Sequence, residues 1–336
     1  MKLAIIGATG LVGETLLEVL SEENYFPLSK IKEIFFVASE KSKGKKLLFN
    51  GTYYEVMTIS DCLQKSPDIA IFSCGSEASI SYAKEFTKMG CFVIDNSSAW
   101  RLHDDVPLVV PEINGDCVNE NTKLIANPNC STIQMVLALS ELHKHYKLKR
   151  IVVSTYQSVS GSGHKGLTQL TSERQGTTPP AMAYPHTIDL NVIPQGGDFN
   201  ENGYTSEEEK LVNETRKIFN DNNIQVSATV VRVPVVVAHS EAINAEFEKP
   251  FSLNEVKDII SSTSGVILSD CNDINLYPTP LSAQNKDEVF VGRVRIDHTQ
   301  PNTLNMWVVS DNLRKGAATN AIQIAAIIIN KKYAGI

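Results

Sequence analysis

Nowhere does the chain hold an apolar run approaching the roughly 18 residues that span a membrane. The segment Ala325-Ala326-Ile327-Ile328-Ile329 is too short and reads as core. Its six cysteines, at 62, 74, 91, 117, 130 and 271, form no CxxC pair and show no metal-ligand spacing, so no metal is expected. The opening Met1-Lys2-Leu3-Ala4-Ile5-Ile6-Gly7 is too short for an export signal and turns straight into a glycine loop. The expectation is a cytoplasmic protein with reduced thiols. Positive charge is also scarce: 31 Lys and Arg against 38 Asp and Glu give a net charge of -7, which argues against nucleic acid or anionic membranes as partners. What remains, over 336 residues with 42% hydrophobic content, is an ordinary globular chain long enough for two domains.

The first half reads as a dinucleotide-binding unit. A short apolar strand, Leu3 to Ile6, runs into Gly7-Ala8-Thr9-Gly10-Leu11-Val12-Gly13 and then a helical stretch from Glu14 to Leu20. This GxxGxxG variant lets backbone approach a pyrophosphate at a helix N-terminus. Further strands are expected at Ile34–Ala38, Asp68–Phe72, Cys91–Asp95 and Lys123–Ala126, alternating with helices as in a doubly wound, Rossmann-type α/β sheet. After the second strand comes Ser39-Glu40-Lys41-Ser42-Lys43-Gly44-Lys45-Lys46, rich in hydroxyls and positive charge where an NAD enzyme usually carries an acid. NADP is favoured over NAD, although Glu40 points the other way. Arg101, in Asn96-Ser97-Ser98-Ala99-Trp100-Arg101, brings a guanidinium to the ligand edge of the sheet.

The second half changes character. Long strands with few helices between them predict a mixed or antiparallel sheet in an α+β domain: Ile151–Gln157, the run Val226–Phe247, Val289–Ile296 and Thr303–Val309. A helix is expected over Ser206–Asn220, opened by Thr205 or Ser206, and a final helix over Lys315–Lys331 that returns to the first domain. The stretch from His164 to Asn202, with its Pro and Gly, reads as loop. Within Val231-Arg232-Val233-Pro234-Val235-Val236-Val237-Ala238-His239, an unbroken strand would put Arg232 and His239 on opposite faces, unless Pro234 breaks the phase. His239 is the best candidate for a catalytic base.

Cys130 is the most informative residue. In Asn127-Pro128-Asn129-Cys130-Ser131-Thr132 a strand ends and a helix begins, with Ile133, Val136, Leu137 and Leu142 spaced for one buried face. Asn129 or Ser131 is expected to cap that helix. A thiol at a helix N-terminus is favoured as thiolate, the form that attacks carbonyl carbon.

Seven segments in order resemble the aspartate-semialdehyde dehydrogenase family. They are Gly7–Gly13, Asn96–Arg101, Asn127–Thr132, Tyr156–Gly161, Glu207–Lys210, Arg232–Pro234 and Asp311-Asn312. The resemblance implies a dinucleotide-binding domain over 1–128, rejoined by a helix at about 313–336, and a catalytic and dimerisation domain over 129–312. It implies reversible NADPH-dependent reduction of L-4-aspartyl phosphate to the semialdehyde and inorganic phosphate. That step leads toward lysine, threonine, methionine and isoleucine.

In the residue roles so implied, Cys130 forms a thioester, His239 is general acid and base, Gln157 orients the acyl group and Asn129 shapes the pocket. Arg232 and Glu207 grip the amino-acid headgroup, and Arg101 and Lys210 hold phosphate. Gly7, Thr9, Gly10, Leu11, Val12, Lys41, Ser42, Ser160, Gly161 and Asn312 bind NADP. Lys41 stands where the family often carries Arg, which implies a looser grip on the 2′-phosphate. A homodimer is implied as well. The rival readings are another acyl-phosphate reductase, such as N-acetyl-γ-glutamyl-phosphate reductase or a glyceraldehyde-phosphate dehydrogenase-like enzyme, a cysteine hydrolase using Cys130 and His239, and a non-catalytic dinucleotide sensor.

Overall fold

The structure, a computed structural model, describes residues 1–270 and 276–333. Cys271 and the last three residues of the expected C-terminal helix therefore lie outside the described residues. The chain divides into two compact units, Met1–Asn129 with Ala317 onward, and Cys130–Gly316.

The first unit runs β1 (Lys2–Ile6), α1 (Leu11–Ser21), β2 (Glu33–Val37), β3 (Lys46–Phe49), β4 (Thr52–Glu55), α2 (Ile59–Leu63), β5 (Ile69–Phe72), α3 (Ser76–Lys88), β6 (Phe92–Asp95), α4 (Pro111–Asn114) and β7 (Leu124–Ala126). Five of these strands form a parallel sheet in the order β2-β1-β5-β6-β7. Each is a short, nearly continuous apolar run, because a parallel sheet is covered on both faces. Strands β3 and β4 make a separate hairpin that the sequence reading did not anticipate. Two aromatics of the hairpin, Phe49 and Tyr54, pack edge-on against Phe36 of β2.

The second unit runs α5 (Cys130–Tyr146), β8 (Leu148–Gln157), α6 (Gly163–Arg174), α7 (Ser206–Phe219), β9 (Gln225–Arg232), β10 (His239–Phe247), α8 (Leu253–Ser262), β11 (Val266–Leu268), α9 (Pro280–Ala283), β12 (Val289–Ile296) and β13 (Thr303–Ser310). Its sheet is mixed, in the order β11-β12-β13-β10-β8-β9, with β8–β9 and β11–β12 parallel and the other pairs antiparallel. Helix α5 packs on the sheet and is buried on all sides from Ser131 to Ser140, where a single buried face was expected. Helix α10 (Thr319–Tyr333), preceded by a π-turn at Arg314–Ala318, belongs to the first unit. It packs on α1, α4 and β6.

Three expectations need correction. The run Val226–Phe247 is two strands, β9 and β10, joined by an apolar loop at 233–238. The segment after His164 is not all loop: α6 occupies Gly163–Arg174, although Gly163, Gly166 and its polar composition disguise it. The final helix begins at Thr319 and not at Lys315, because the turn before it closes with π geometry.

Candidate active site

Cys130 is the first residue of α5, and it is half-buried. Ser131 lies inside the helix and so is not its cap. Its hydroxyl instead accepts a hydrogen bond from Gln157 Nε2 at 2.8 Å, which ties the first turn of α5 to the end of β8. The positive end of the helix dipole therefore falls at the cysteine, as a nucleophilic thiolate requires.

Sheet register sets the rest of the constellation. Gln157 and Arg232 are partners in the last pair of the parallel β8–β9 ladder. On the other side of β8, Ser240 pairs with Tyr156, so His239, the first residue of β10, lies next to Gln157. Three adjacent strand ends thus carry Arg232, Gln157 and His239 in a row. The conflict of faces foreseen for Arg232 and His239 disappears because the loop at 233–238 separates them into different strands.

Glu207 reaches Arg232 from α7. Thr205 caps that helix in a reciprocal box with Glu208, whose other carboxylate oxygen accepts from the Val230 amide at 2.9 Å. Such a cap contributes about 1 kcal/mol, and here it also pins the first turn of α7 to β9, two residues before Arg232. Nη2 of Arg232 then lies 2.9 Å from Oε1 of Glu207. Burial opposes the charge on Arg232, but Glu207, with Tyr184 and Cys130, more than restores it and raises its pKa. Nη1 and the His239 ring converge on Gly161: a Cβ at that position would stand 3.0 Å from Nη1 and 3.3 Å from Nε2 of His239. A cavity of about 300 Å³ opens there, lined by Gly161, Tyr184, Gln195, Glu207 and Arg232 among others.

His239 is fully buried. Its Nδ1 accepts from the Ser158 amide at 3.0 Å and lies 3.0 Å from the Ser158 hydroxyl. Burial first, and the nearby Arg232 charge second, push its pKa down from 6.5 to about 3, so the ring is neutral near pH 7. Among the buried side-chain atoms with no protein partner among the described residues are Nε2 of His239, Oε1 of Gln157 and Oε2 of Glu207. Buried polar atoms are rarely left unpaired. Glu207 lines the cavity and Nε2 of His239 faces Gly161 on its wall, which marks a place prepared for a polar ligand.

In the first unit, Gly7, Thr9 and Gly10 line a cavity of about 370 Å³ together with Ala38, Ser39, Ser73 and Cys74. Gly7 has φ +95°, and a Cβ there would collide with the Ser73 carbonyl oxygen, so only glycine fits. Gly10 caps α1 without a side-chain hydrogen bond, and Leu11 and Val12 open its first turn. That bare helix N-terminus beside a cavity fits a dinucleotide pyrophosphate. Lys41 is exposed and Ser42 buried, in a 3-10 turn that follows the cavity wall at Ser39. Arg101 is buried, donating from Nε to the Asn127 carbonyl at 2.9 Å and from Nη2 to the Asn96 carbonyl at 2.7 Å. Asn129 is buried at the end of the first unit.

Lys210 sits one turn after Glu207 on α7, and Ser160 and Asn312 are buried in the second unit. The sequence reading missed Ser158 and Glu208. The only signal for Glu208 was its spacing of three from Thr205, the capping-box pattern; Ser158 had none. Among the described residues no group of three or more His, Cys, Asp or Glu is placed to hold a metal, and no helix is long and apolar enough to cross a membrane.

Residues 2–121 match the domain family described as semialdehyde dehydrogenase, NAD binding domain, and residues 139–315 the family described as semialdehyde dehydrogenase, dimerisation domain. Aspartate-semialdehyde dehydrogenase from Aquifex aeolicus is 48% identical over 338 residues, covering 98% of each chain. That from Shewanella violacea is 44% identical, covering 99% of this chain and 98% of the relative. Aspartate semialdehyde dehydrogenase II from Vibrio cholerae, solved as a complex with ASA, superposes with a TM-score of 0.92 at 44% identity, covering 99% of this chain and 98% of that one.

Proposed function

The chain belongs to the aspartate-semialdehyde dehydrogenase family, and from that premise we propose a residue-level reading of its chemistry. It is an oxidoreductase acting on an aldehyde with a nicotinamide dinucleotide. The reaction is the reversible, phosphate-dependent interconversion of L-aspartate 4-semialdehyde and L-4-aspartyl phosphate. Cys130 is the nucleophile. Its thiolate adds to the aldehyde carbon, and loss of hydride converts the adduct to a thioester on Sγ. Inorganic phosphate then displaces the thiolate. The bound dinucleotide supplies the hydride acceptor or donor.

Arg232 binds the substrate carboxylate as a planar fork, and Glu207 binds the ammonium through the oxygen that Arg232 leaves bare. Gln157, tied to Ser131, orients the acyl group. Asn129 precedes the nucleophile and shapes the same pocket. His239 is the general acid and base. Arg101 and Lys210 are the phosphate ligands. Gly7, Thr9, Gly10, Leu11, Val12, Ser160, Gly161 and Asn312 are assigned to the dinucleotide. Lys41 and Ser42 favour NADP through its 2′-phosphate.

The observation that carries this reading is the pair of the buried Arg232 with the partly buried Glu207, which keeps a bare, buried carboxylate oxygen, in the unit that holds Cys130. A simple aldehyde or an N-acylated amino acid has no ammonium to satisfy it, which disfavours the other acyl-phosphate reductases. A hydrolase would leave the dinucleotide cradle idle. The test is NADP reduction with the semialdehyde, with and without phosphate, on wild type and Cys130→Ala. Turnover that ignores phosphate contradicts the reading.

The dimerisation-domain match and the second sheet support a homodimer. One sheet face is covered by helices. The other presents Tyr156 at 39% exposure and a groove of about 490 Å³ lined by Tyr277, Pro278, Met306 and Trp307. A second copy covering that face buries it, and sedimentation gives the mass that decides.

A further inference from the structure

We propose that Gly316 and Asp311 are positioning residues for the nucleophile. Asp311 folds the turn at 311–316, and the bare Cα of Gly316 at the end of that turn sets where the Cβ of Cys130, and hence its sulfur, can lie. The proposal rests on the reading of Cys130 as the acyl-carrying nucleophile and adds the part of the chain that seats the thiol.

The two residues approach more closely than a side chain on Gly316 would allow. A Cβ there would stand 2.9 Å from the Cβ of Cys130 and 3.4 Å from its Cα. Carbon atoms in contact rest at about 3.5–4.0 Å, so one of the two segments would have to yield by roughly half an ångström or more. Gly316 is not among the glycines with positive φ, so the need for glycine here is spatial and not conformational. The residue is bare because the nucleophile occupies the place of its side chain.

The turn itself is firmly held. The Gly316 amide donates to the Asp311 carbonyl at 3.1 Å, a bond that spans five residues and so has π and not α geometry. Asp311 is buried, and both its carboxyl oxygens are occupied. Oδ1 accepts from the Leu313 and Arg314 amides at 2.9 and 3.2 Å, and Oδ2 from the Asn285 amide at 2.8 Å. Two residues beyond Asn285, Asp287 takes the Arg314 guanidinium as a fork, with Nε at 2.8 Å from Oδ1 and Nη2 at 3.1 Å from Oδ2. Both of these side chains are more than nine-tenths buried, and such planar pairs add geometric specificity as well as energy. The segment 285–287 therefore clamps the turn at two points.

Cys130 is the softer side of the contact. It is the first residue of α5 and half-buried, whereas the helix behind it is buried on all sides from Ser131 to Ser140. Its neighbour Ser131 is tied to Gln157, which leaves Cys130 as the end that moves when Gly316 gains a side chain. With its Cβ stopped by Gly316 and the first helical turn held by Gln157, the sulfur keeps only the staggered positions about χ1. Attack on an aldehyde carbon needs that aim, because a misplacement of about 1 Å costs on the order of 100-fold in rate. The headgroup pair, Arg232 and Glu207, stands on β9 and α7, neither of which takes part in the turn.

Steady-state kinetics on full-length Gly316→Ala, with the semialdehyde, NADP and phosphate, test this. The expected kcat falls roughly 10- to 100-fold, while KM for the semialdehyde stays within about twofold of wild type. A wild-type kcat, or a loss that falls in KM instead, overturns the proposal. Where Gly316→Ala does not fold, Asp311→Asn decides by the same split: it keeps an acceptor for the turn amides but sets an NH2 group against the Asn285 amide, which loosens the turn and lowers kcat. A second readout needs no substrate. Alkylation of Cys130 by iodoacetamide, located by mass spectrometry over about pH 5 to 9, should give a displaced rate profile in the variant, because the sulfur has moved relative to the helix N-terminus. Superimposable profiles overturn the proposal. Full activity in Cys130→Ala would strike the reading of Cys130 as nucleophile and leave the alkylation comparison standing, so the two failures are told apart.

Discussion

Nη2 of Arg232 lies 2.9 Å from Oε1 of Glu207, while Oε2 of the same carboxylate has no partner among the described residues. Both side chains come from the second unit, one from the end of β9 and one from the first turn of α7. The pair is thus half-satisfied: the guanidinium keeps a free edge for a carboxylate, and the carboxylate keeps a free oxygen for an ammonium. A residue pair serving only stability would not leave a buried oxygen unmatched.

Arg232→Lys is expected to lower kcat/KM by about 2–3 kcal/mol, on the order of 100-fold, because an ammonium cannot bond Glu207 and a substrate carboxylate as one planar fork. Steady-state kinetics should place the loss mainly in KM for the semialdehyde. A loss confined to KM for the dinucleotide contradicts the assignment.

Gly161→Ala separates packing from chemistry. Gly161 does not have positive φ, so alanine strains no backbone, and the thermal midpoint should move by only a few degrees. Its methyl would nevertheless sit 3.0 Å from Arg232 Nη1, in the space between the guanidinium and His239. Activity should fall by an order of magnitude or more while calorimetry finds the fold intact. A variant as active as wild type would show that this space is not the substrate site.

Glu241 is fully buried on β10, two residues from His239 and on the same face of the strand, and neither of its carboxyl oxygens is paired. Gln134, one turn along α5 from Cys130, approaches it without completing a bond with hydrogen-bond geometry. Burial raises the carboxyl pKa well above its ordinary 4.5, although Gln134 pulls the other way. Between the ordinary carboxyl value and the raised folded one, the group is protonated in the folded state and ionised in the unfolded chain. Its contribution to stability is therefore complete below about pH 4.5 and is lost as pH rises toward the folded pKa. Glu241→Gln should flatten the decline of unfolding free energy with rising pH above that point, as read by urea titrations at several pH values. Parallel curves for wild type and variant contradict a neutral Glu241.

Lys41→Ala tests the cofactor preference. Loss of an exposed point charge should raise KM for NADP several-fold and leave KM for NAD unchanged. Equal effects on both cofactors would remove Lys41 from the 2′-phosphate site.

Legibility in the sequence followed the range of the interactions. The strands of the first sheet stand out because each is a short apolar run next to a polar ligand edge, and Ile69–Phe72 and Phe92–Asp95 begin one residue from where composition places them. Cys130 was legible because strand end, proline and helix start are contiguous. The loop at 233–238 was not. It is as apolar as the strands it joins, and it is held by bonds from Val159 and Ser160 to Val235 and Val236 that no local pattern encodes. The partners of His239 were hidden for the same reason: Ser158 is 81 residues away in the chain, and Asn312 lies 74 from Ala238, whose amide donates to it. Helix α6 was missed because only Gly166, Gln169 and Leu170 are buried in it, too few to write a period.

The most direct measurement is to mix the protein with the semialdehyde and NADP in the absence of phosphate and follow NADPH formation by stopped flow, then identify the acylated residue by mass spectrometry. One equivalent of NADPH per active site should form in a burst and stop, with the aspartyl group on Cys130, and added phosphate should discharge it and restore turnover. Steady turnover without phosphate, or an acyl group on any residue other than Cys130, would contradict the thioester chemistry on which every other assignment depends.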